Sequence, residues 1–230
     1  MRLFFLKVYQ LFTGITSFAY SKSFKERAEF FYWRIQKLKD SKLGNDHYAY
    51  FYTSFFGLDP EFYNHKKVLD IGCGPRGSLD WVAEPDELIG LDPLVDKYKK
   101  LKVPRKMKLQ QGVAEQIPFA DSYFDIITAF NALDHVDDPA KAVAEIYTKL
   151  KPGGLFMCIL ELHNKPTITE PSGISHQGVT QLMDQFIVLQ EAYYKKSGGI
   201  YASLRQKQEV DPAISSSDYT ICVLKALKPG

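Results

Sequence analysis

The chain has 230 residues, of which 45% are hydrophobic and 14% aromatic, enough for a sizeable buried core. Its 29 Lys and Arg nearly balance its 27 Asp and Glu, and a formal net charge of +2 removes any bulk electrostatic ground for a nucleic-acid partner. The three cysteines lie far apart, form no C-x-x-C pair and fit a reducing, cytoplasmic setting.

The N-terminal stretch "MRLFFLKVYQLFTGITSFAY" is apolar, but Lys7 interrupts it and no small-residue cleavage pattern follows. It is also shorter than the roughly 20 apolar residues that a spanning helix needs. Three readings stand for residues 1–20, in this order: a helix packed on the main domain, a peripheral contact with a membrane surface, and a dimer contact. Ser23 and Glu26 have the spacing of a capping box, and Phe24, Ala28, Phe31, Ile35 and Leu38 recur at three- and four-residue intervals, which predicts an amphipathic helix. A second aromatic segment, "HYAYFYTSFFG", follows. Residues 1–64 thus read as an N-terminal helical extension or cap, its aromatic stripe serving packing, ahead of a core domain at 65–230.

Strands are predicted at "KVLDIG", "ELIGLD", "MKLQQG", "FDIITAF", "GLFMCILEL", "FIVLQEAYY" and "DYTICVLKAL". The clearest intervening helix is "DDPAKAVAEIYTKLKPGG", with Pro139 in its first turn and Gly153 beyond its end. Strands alternating with helical segments give an α/β fold with a parallel sheet, which receives ligands at the carboxyl ends of its strands. The basic run Asp96 to Lys108 reads as a solvated helix face and loop, since no aromatics interleave for base stacking. Lys195 to Ser217 reads as a loop or β-hairpin excursion.

Gly72, Gly74 and Gly77 in "VLDIGCGPRG" have the G-x-G-x-x-G spacing of a dinucleotide turn. Asp70, two residues earlier, opposes that reading, because a carboxylate there repels a pyrophosphate and favours a cation. Asp92 closes "LIGLDP", where an acid can accept hydrogen bonds from both hydroxyls of a ribose.

From about Lys67 to Leu162 the sequence resembles the class I S-adenosylmethionine-dependent methyltransferases, in their small-molecule branch. The resemblance rests on "VLDIGCG", "GLDP", "GVAEQIPFADSYFDIITAFNALDHV" and "EIYTKLKPGGLFMCI", four blocks in the family's order. It implies a Rossmann-like three-layer sandwich with a mostly parallel seven-stranded sheet, and S-adenosyl-L-methionine as cofactor, leaving as S-adenosyl-L-homocysteine. Asp70 would lie near the ammonium, Gly72 and Gly74 would admit the methionine backbone, Asp92 would hold the ribose, and Asn131 would face the methionine part. Val113 stands where the family often has an acid for the adenine amino group; the Ala114 backbone or Glu115 would serve instead, and Glu115 reads equally as a solvated loop carboxylate. In "NALDH", His135 and Asp134 are the candidates for the acceptor side, His135 as a proton acceptor, with helix capping as the competing role for both. Glu161 and His163 end the fifth strand on the same rim, and Pro166 to Gly178 reads as a substrate-covering loop leading into a helix. Asp137 and Asp138 read as helix N-terminal acids, and no metal is assigned.

The expected activity is methylation of a small-molecule or glycan- or lipid-linked acceptor at a hydroxyl. A membrane-docked quinone or lipid methyltransferase and a non-catalytic cofactor-binding module are the alternatives. Nucleic-acid methylation is disfavoured, because "NALD" replaces the N-P-P-Y-type motif of amino-methylating enzymes.

Overall fold

The computed structural model describes residues 22–40, 43–162, 173–212 and 220–230; residues 1–20, the side chain of Ser23, His163 and most of the expected covering loop lie outside them. Seven strands form where the apolar runs predict them: β1 (Lys67–Ile71), β2 (Glu87–Asp92), β3 (Lys108–Gln111), β4 (Phe124–Phe130), β5 (Leu150–Leu162), β6 (Ile187–Lys195) and β7 (Thr220–Leu227). Their order is β3-β2-β1-β4-β5-β7-β6. The first five run parallel, and β7 slots antiparallel between β5 and β6. The order reverses between β1 and β4, which makes the carboxyl ends of those strands the natural place for a ligand.

Successive residues along each strand feed opposite layers, as the two-residue strand repeat demands. Val68, Leu88, Ile126, Met157 and Ile221 enter one core, while Leu69, Ile89, Ile127, Cys158 and Cys222 enter the other. The second core is closed by α4 (Pro139–Lys149) and α5 (His176–Leu182). Asp138 caps α4 by accepting the Lys141 N–H at 3.0 Å, with Pro139 at the first helical position, and Ser175 caps α5 by accepting from Gly178 N.

The first core is built differently. The 15-residue connection from β1 to β2 contains turns and no helix. Its Leu79 and Val82 pack instead with Phe51, Tyr52, Phe56 and Tyr63, from α2 (Ala49–Tyr52) and the short 3-10 turns around it. The aromatic segment before β1 therefore supplies a layer of the main core. Tyr63 donates its hydroxyl to the Tyr52 carbonyl at 2.6 Å, and Lys225 on β7 donates to the carbonyl of Phe56 at 2.8 Å, joining the segment before β1 to β7. The segment Lys195 to Ser217, expected as a loop or hairpin, contains α6 (Ile200–Gln206), whose Leu204 completes this layer.

One predicted face is turned over. In α1 (Lys22–Lys39), Phe31 is 53% exposed and Leu38 87% exposed. The face that docks carries Glu26, Phe30, Trp33 and Lys37, which meet α3 (Val95–Lys99) and the turn after it. Among the described residues no helix is long and apolar enough to cross a membrane.

Candidate active site

Gly72 follows β1 at φ +69°, and a Cβ there would lie 2.6 Å from the Ala132 Cβ. Only a glycine lets the first loop touch the segment after β4. Gly74, at φ +59°, donates its N–H to Asp92 Oδ2 at 3.2 Å, and a Cβ there would stand 3.0 Å from the Trp33 ring. The two strand ends and the two loops thus form one narrow cradle. No helix begins at this turn, so it lacks the helix N-terminus on which a dinucleotide pyrophosphate rests.

Two buried carboxyls face the cradle. Asp70 is 1% exposed; it accepts from the Thr128 hydroxyl at 2.6 Å, the Ser78 hydroxyl, and the Tyr52 hydroxyl at 3.2 Å. Parallel register sets Thr128 directly beside Asp70. These donors are neutral, and burial pushes the carboxyl up to about 6. Asp92 is 6% exposed and accepts the backbone N–H groups of Leu94 at 2.8 Å and Gly74. Burial, with Glu29 and Asp70 nearby, pushes it up to about 7.

An unfolded Asp ionises near pH 4. Between there and the folded values the native state keeps protons that the unfolded chain has released, so the stability these groups lend at low pH is lost as pH rises through about 6 to 7. The ligand-free protein is expected to melt several degrees higher near pH 5 than near pH 8, as read by scanning calorimetry. A melting temperature that climbs over that range would show that neither carboxyl is held protonated by burial.

At the acceptor end, Asn131 takes a left-handed conformation, φ +55°, and its N–H meets the Ile159 carbonyl at 2.6 Å. Non-glycine residues hold such angles where the surroundings impose them, commonly at ligand sites. The 3-10 turn Leu133–His135 follows, closed by the bond from His135 N to the Ala132 carbonyl. Neighbouring side chains on this turn diverge: His135 is half-buried, while Asp134 is 1% exposed. Asp134 Oδ2 accepts from the Glu161 N–H at 3.4 Å, and its Oδ1 is buried with no hydrogen-bond partner among the described residues. Neither residue caps α4, since Asp138 does so and Glu115 Oε1 accepts the N–H groups of Asp137 and Asp138. Glu161, also buried, pairs with Lys196 just beyond β6. The Tyr201 phenol lies within electrostatic reach of both Asp70 and Asp134; burial foremost, then Tyr48 and those carboxylates, hold it well above the usual phenol range.

Beyond Asp92, a cleft of about 820 Å³ opens between Pro93, Gly112, Val113, Ile117 and Phe119. Ala114 is buried beside it.

Residues 69–158 match the family described as "Methyltransferase domain". Residues 69–158 thus carry a methyltransferase domain, which spans under half of the chain. It is 35% identical over 106 residues to demethylmenaquinone methyltransferase of Lactiplantibacillus plantarum, covering 40% of this chain and 44% of that protein. It is 27% identical over 187 residues to cycloartenol-C-24-methyltransferase 1 of Oryza sativa, covering 75% of this chain and 49% of that one. The chain thus spans under half the length of these curated relatives. Among solved structures, YcgJ of Bacillus subtilis superposes with a TM-score of 0.51 at 19% identity, over 73% of this chain and 93% of that one. The cyclase SpnF gives 0.52 at 16%, over 74% and 78%. Likeness at that level shows the fold, and the SpnF match is a reminder that one fold hosts different reactions.

The methyltransferase domain suits S-adenosylmethionine by the chemistry of its donors and its shape. Its glycine loop lies tight against Ala132 and Trp33, and among the described residues its two desolvated carboxyls have only neutral partners, so they favour a cation and a diol. Asp70, Gly72, Gly74 and Asp92 come together at the switch point, with Asn131 on the adjoining strand end and Asp134 in the turn that follows it. His163 lies outside the described residues. Tyr52 and Ser78 on Asp70, Lys196 on Glu161, and Tyr201 against Tyr48 and Phe51 are residues the sequence reading missed. Thr128 had a signal, since aligning the predicted β1 and β4 by their ends sets it opposite Asp70.

Proposed function

We propose that the protein transfers the methyl group of S-adenosylmethionine to a hydroxyl of a small molecule or of a glycan- or lipid-linked intermediate. The observation that carries this reading is Asp134 Oδ1, a buried oxygen that has no partner among the described residues, just beyond the carboxyl end of β4. A buried carboxylate oxygen in that state is unfavourable until a donor reaches it, and an acceptor hydroxyl is such a donor. When bound, the cofactor supplies a methyl group already activated on a sulfonium. Asp70 then holds the ammonium, Asp92 the ribose hydroxyls, and the backbone at Gly72 and Gly74 admits the methionine part. Ala114 borders the adenine, and Asn131 fixes the turn that faces the methionine end. Glu115 acts mainly by anchoring the turn into α4. Asp134 Oδ1 accepts the proton that the acceptor hydroxyl loses on attack, Tyr201 supplies a neutral phenol beside it, and Glu161–Lys196 fixes the outer rim. His135, half-buried on the same turn, shapes the approach to Asp134. Residues 1–64 serve as an extension whose helix α1 covers the glycine loop and whose aromatic segment packs into the 65–230 domain, with the segment after β5 covering the acceptor.

Labelled cofactor incubated with a panel of hydroxyl, amine and carbon acceptors tests this reading. Label in an ether product supports it, label on nitrogen or carbon redirects it, and calorimetric binding of S-adenosylhomocysteine with no transfer to any class favours a non-catalytic module.

A second reading is a quinone or lipid acceptor taken at a membrane surface. Its ground is the similarity to demethylmenaquinone methyltransferase together with the apolar residues 1–20. Sedimentation with anionic vesicles, lost when residues 1–20 are removed, supports it, and equal sedimentation of both forms opposes it.

A further inference from the structure

A cavity of about 380 Å³ opens at the end of the sheet where the parallel strands begin. Lys66 just before β1, Asp125 and Ile126 at the start of β4, residues 151–155 of β5 and Leu227 at the end of β7 form its walls. Leu58 and Phe62, from the segment ahead of β1, and Leu189 on the edge strand β6 complete the lining. The glycine loop and Asp134 follow the carboxyl ends of β1 and β4, so this hollow stands apart from the candidate active site.

Apolar exposure sets the hollow apart from an ordinary surface crease. Six large hydrophobic side chains are exposed among the described residues, and four of them gather here: Phe62 and Leu189 line the hollow, and Ile187 and Val188 precede Leu189 on β6. Ile187 lies beside Leu227 in the sheet register. Apolar side chains scattered singly over a surface need no explanation, whereas a cluster of them around a concavity marks a place where a ligand is taken up. Charge is the second distinguishing property. Lys66, Lys151 and Lys225 line the same hollow, with Asp125 as the acid among its lining residues. Both oxygens of that acid are engaged: Oδ1 accepts from Lys151 Nζ at 2.8 Å and Oδ2 from the Lys67 N–H at 2.9 Å. Lys225 gives one N–H to the Phe56 carbonyl at 2.8 Å. An ammonium carries three donors, so Lys151 and Lys225 retain donors for a further acceptor, and the lining as a whole is positive.

We propose that this hollow binds an amphipathic anion, an acyl chain ending in a carboxylate, with the chain against Phe62, Leu155, Leu189 and Leu227 and the carboxylate among the three lysines. An uncharged apolar ligand would cover the ammonium groups without offering them an acceptor, and a small inorganic anion would leave the apolar lip in water. The volume lies within the roughly 300 to 1,000 Å³ usual for small-molecule sites. The site is independent of the methyl-transfer reading.

Octanoate is the probe, titrated by calorimetry into the full chain, with octanol as the uncharged control. Octanoate is expected to bind more tightly than octanol. Leu189→Glu, which sets a carboxylate in the apolar wall, should weaken both by at least about tenfold. Lys66→Gln should weaken octanoate about fivefold and leave octanol unchanged, the retained octanol binding showing that the variant is folded. Octanoate that binds wild type and Leu189→Glu equally occupies another site, and the inference falls. Equal affinity for octanoate and octanol removes the anionic recognition. No binding of octanoate, with anionic vesicles retained by wild type and released by Leu189→Glu, gives the patch to a membrane surface and overturns the small-molecule site. No binding of octanoate or vesicles overturns it outright, and each of these outcomes leaves the cofactor assignment untouched.

Discussion

Asp70→Asn is expected to raise the melting temperature of the ligand-free protein near pH 8 and, in the same molecule, to lower affinity for S-adenosylmethionine about a hundredfold. The two effects have one cause. With its carboxyl pushed up to about 6, Asp70 is ionised at pH 8 in a place that disfavours the charge, and the unfolded chain carries no such penalty. Asparagine is isosteric, and the hydroxyls of Tyr52, Ser78 and Thr128 can each turn to donate or accept, so the local bonds survive. The uncompensated charge is what goes. The same charge is the partner of the cofactor's ammonium, and a hydrogen bond to a charged group contributes about 1.5 to 3 kcal/mol, or ten- to some hundredfold in affinity. Scanning calorimetry and isothermal titration read the two signs separately. A variant that melts lower and binds as tightly as wild type would show that Asp70 is a structural acceptor only.

Asp134→Asn is expected to lower kcat by about a hundredfold or more while the dissociation constant for S-adenosylhomocysteine stays within about twofold of wild type. A positioned base contributes roughly 10² to 10⁴ in rate, and an amide cannot take the proton from an acceptor hydroxyl. Asp134 Oδ2 receives only the Glu161 N–H, a bond the asparagine carbonyl can keep, so the fold has little to lose. Tyr201→Phe should cost less, about tenfold, since a protonated phenol orients the acceptor and takes no proton. An unchanged kcat in Asp134→Asn would move the proton acceptor elsewhere, with His135 the nearest candidate on the turn. A matching fall in cofactor affinity would mean instead that the turn had shifted.

What could be read in advance divides by distance along the chain. The strands, the glycine cradle, Asp70 and Asp92 were legible because each depends on a local pattern: alternation, a turn, and an acid at a strand end. The face of α1 was misread for the opposite reason. Its docked surface uses Glu26 and Lys37 as tethers with Trp33 between them, so residues that look solvated point inward and Phe31 and Leu38 stay outside. Tyr52 reaches Asp70 across the layer that replaces a β1–β2 helix, and no periodicity within either segment encodes that meeting. Tyr201 was hidden because α6 is two turns long and flanked by polar residues. Asp134 stood out by its place after the fourth strand, but only packing reveals that one of its oxygens has no partner.

The bond from Lys225 to the Phe56 carbonyl spans 169 positions of sequence, and β7, which carries it, follows the other six strands in sequence yet lies inside the sheet. During synthesis the aromatic layer before β1 emerges well before β7, and it lacks the support of Lys225 until that strand has been made. Contacts of such separation slow folding and leave apolar surface open in the meantime. A nascent chain stalled before Thr220 should be cut readily by protease within 43–63, and the finished chain should resist; equal resistance of both would place the closing event earlier. The aromatic layer of the first core is thus closed late, by a strand made long after the residues it supports.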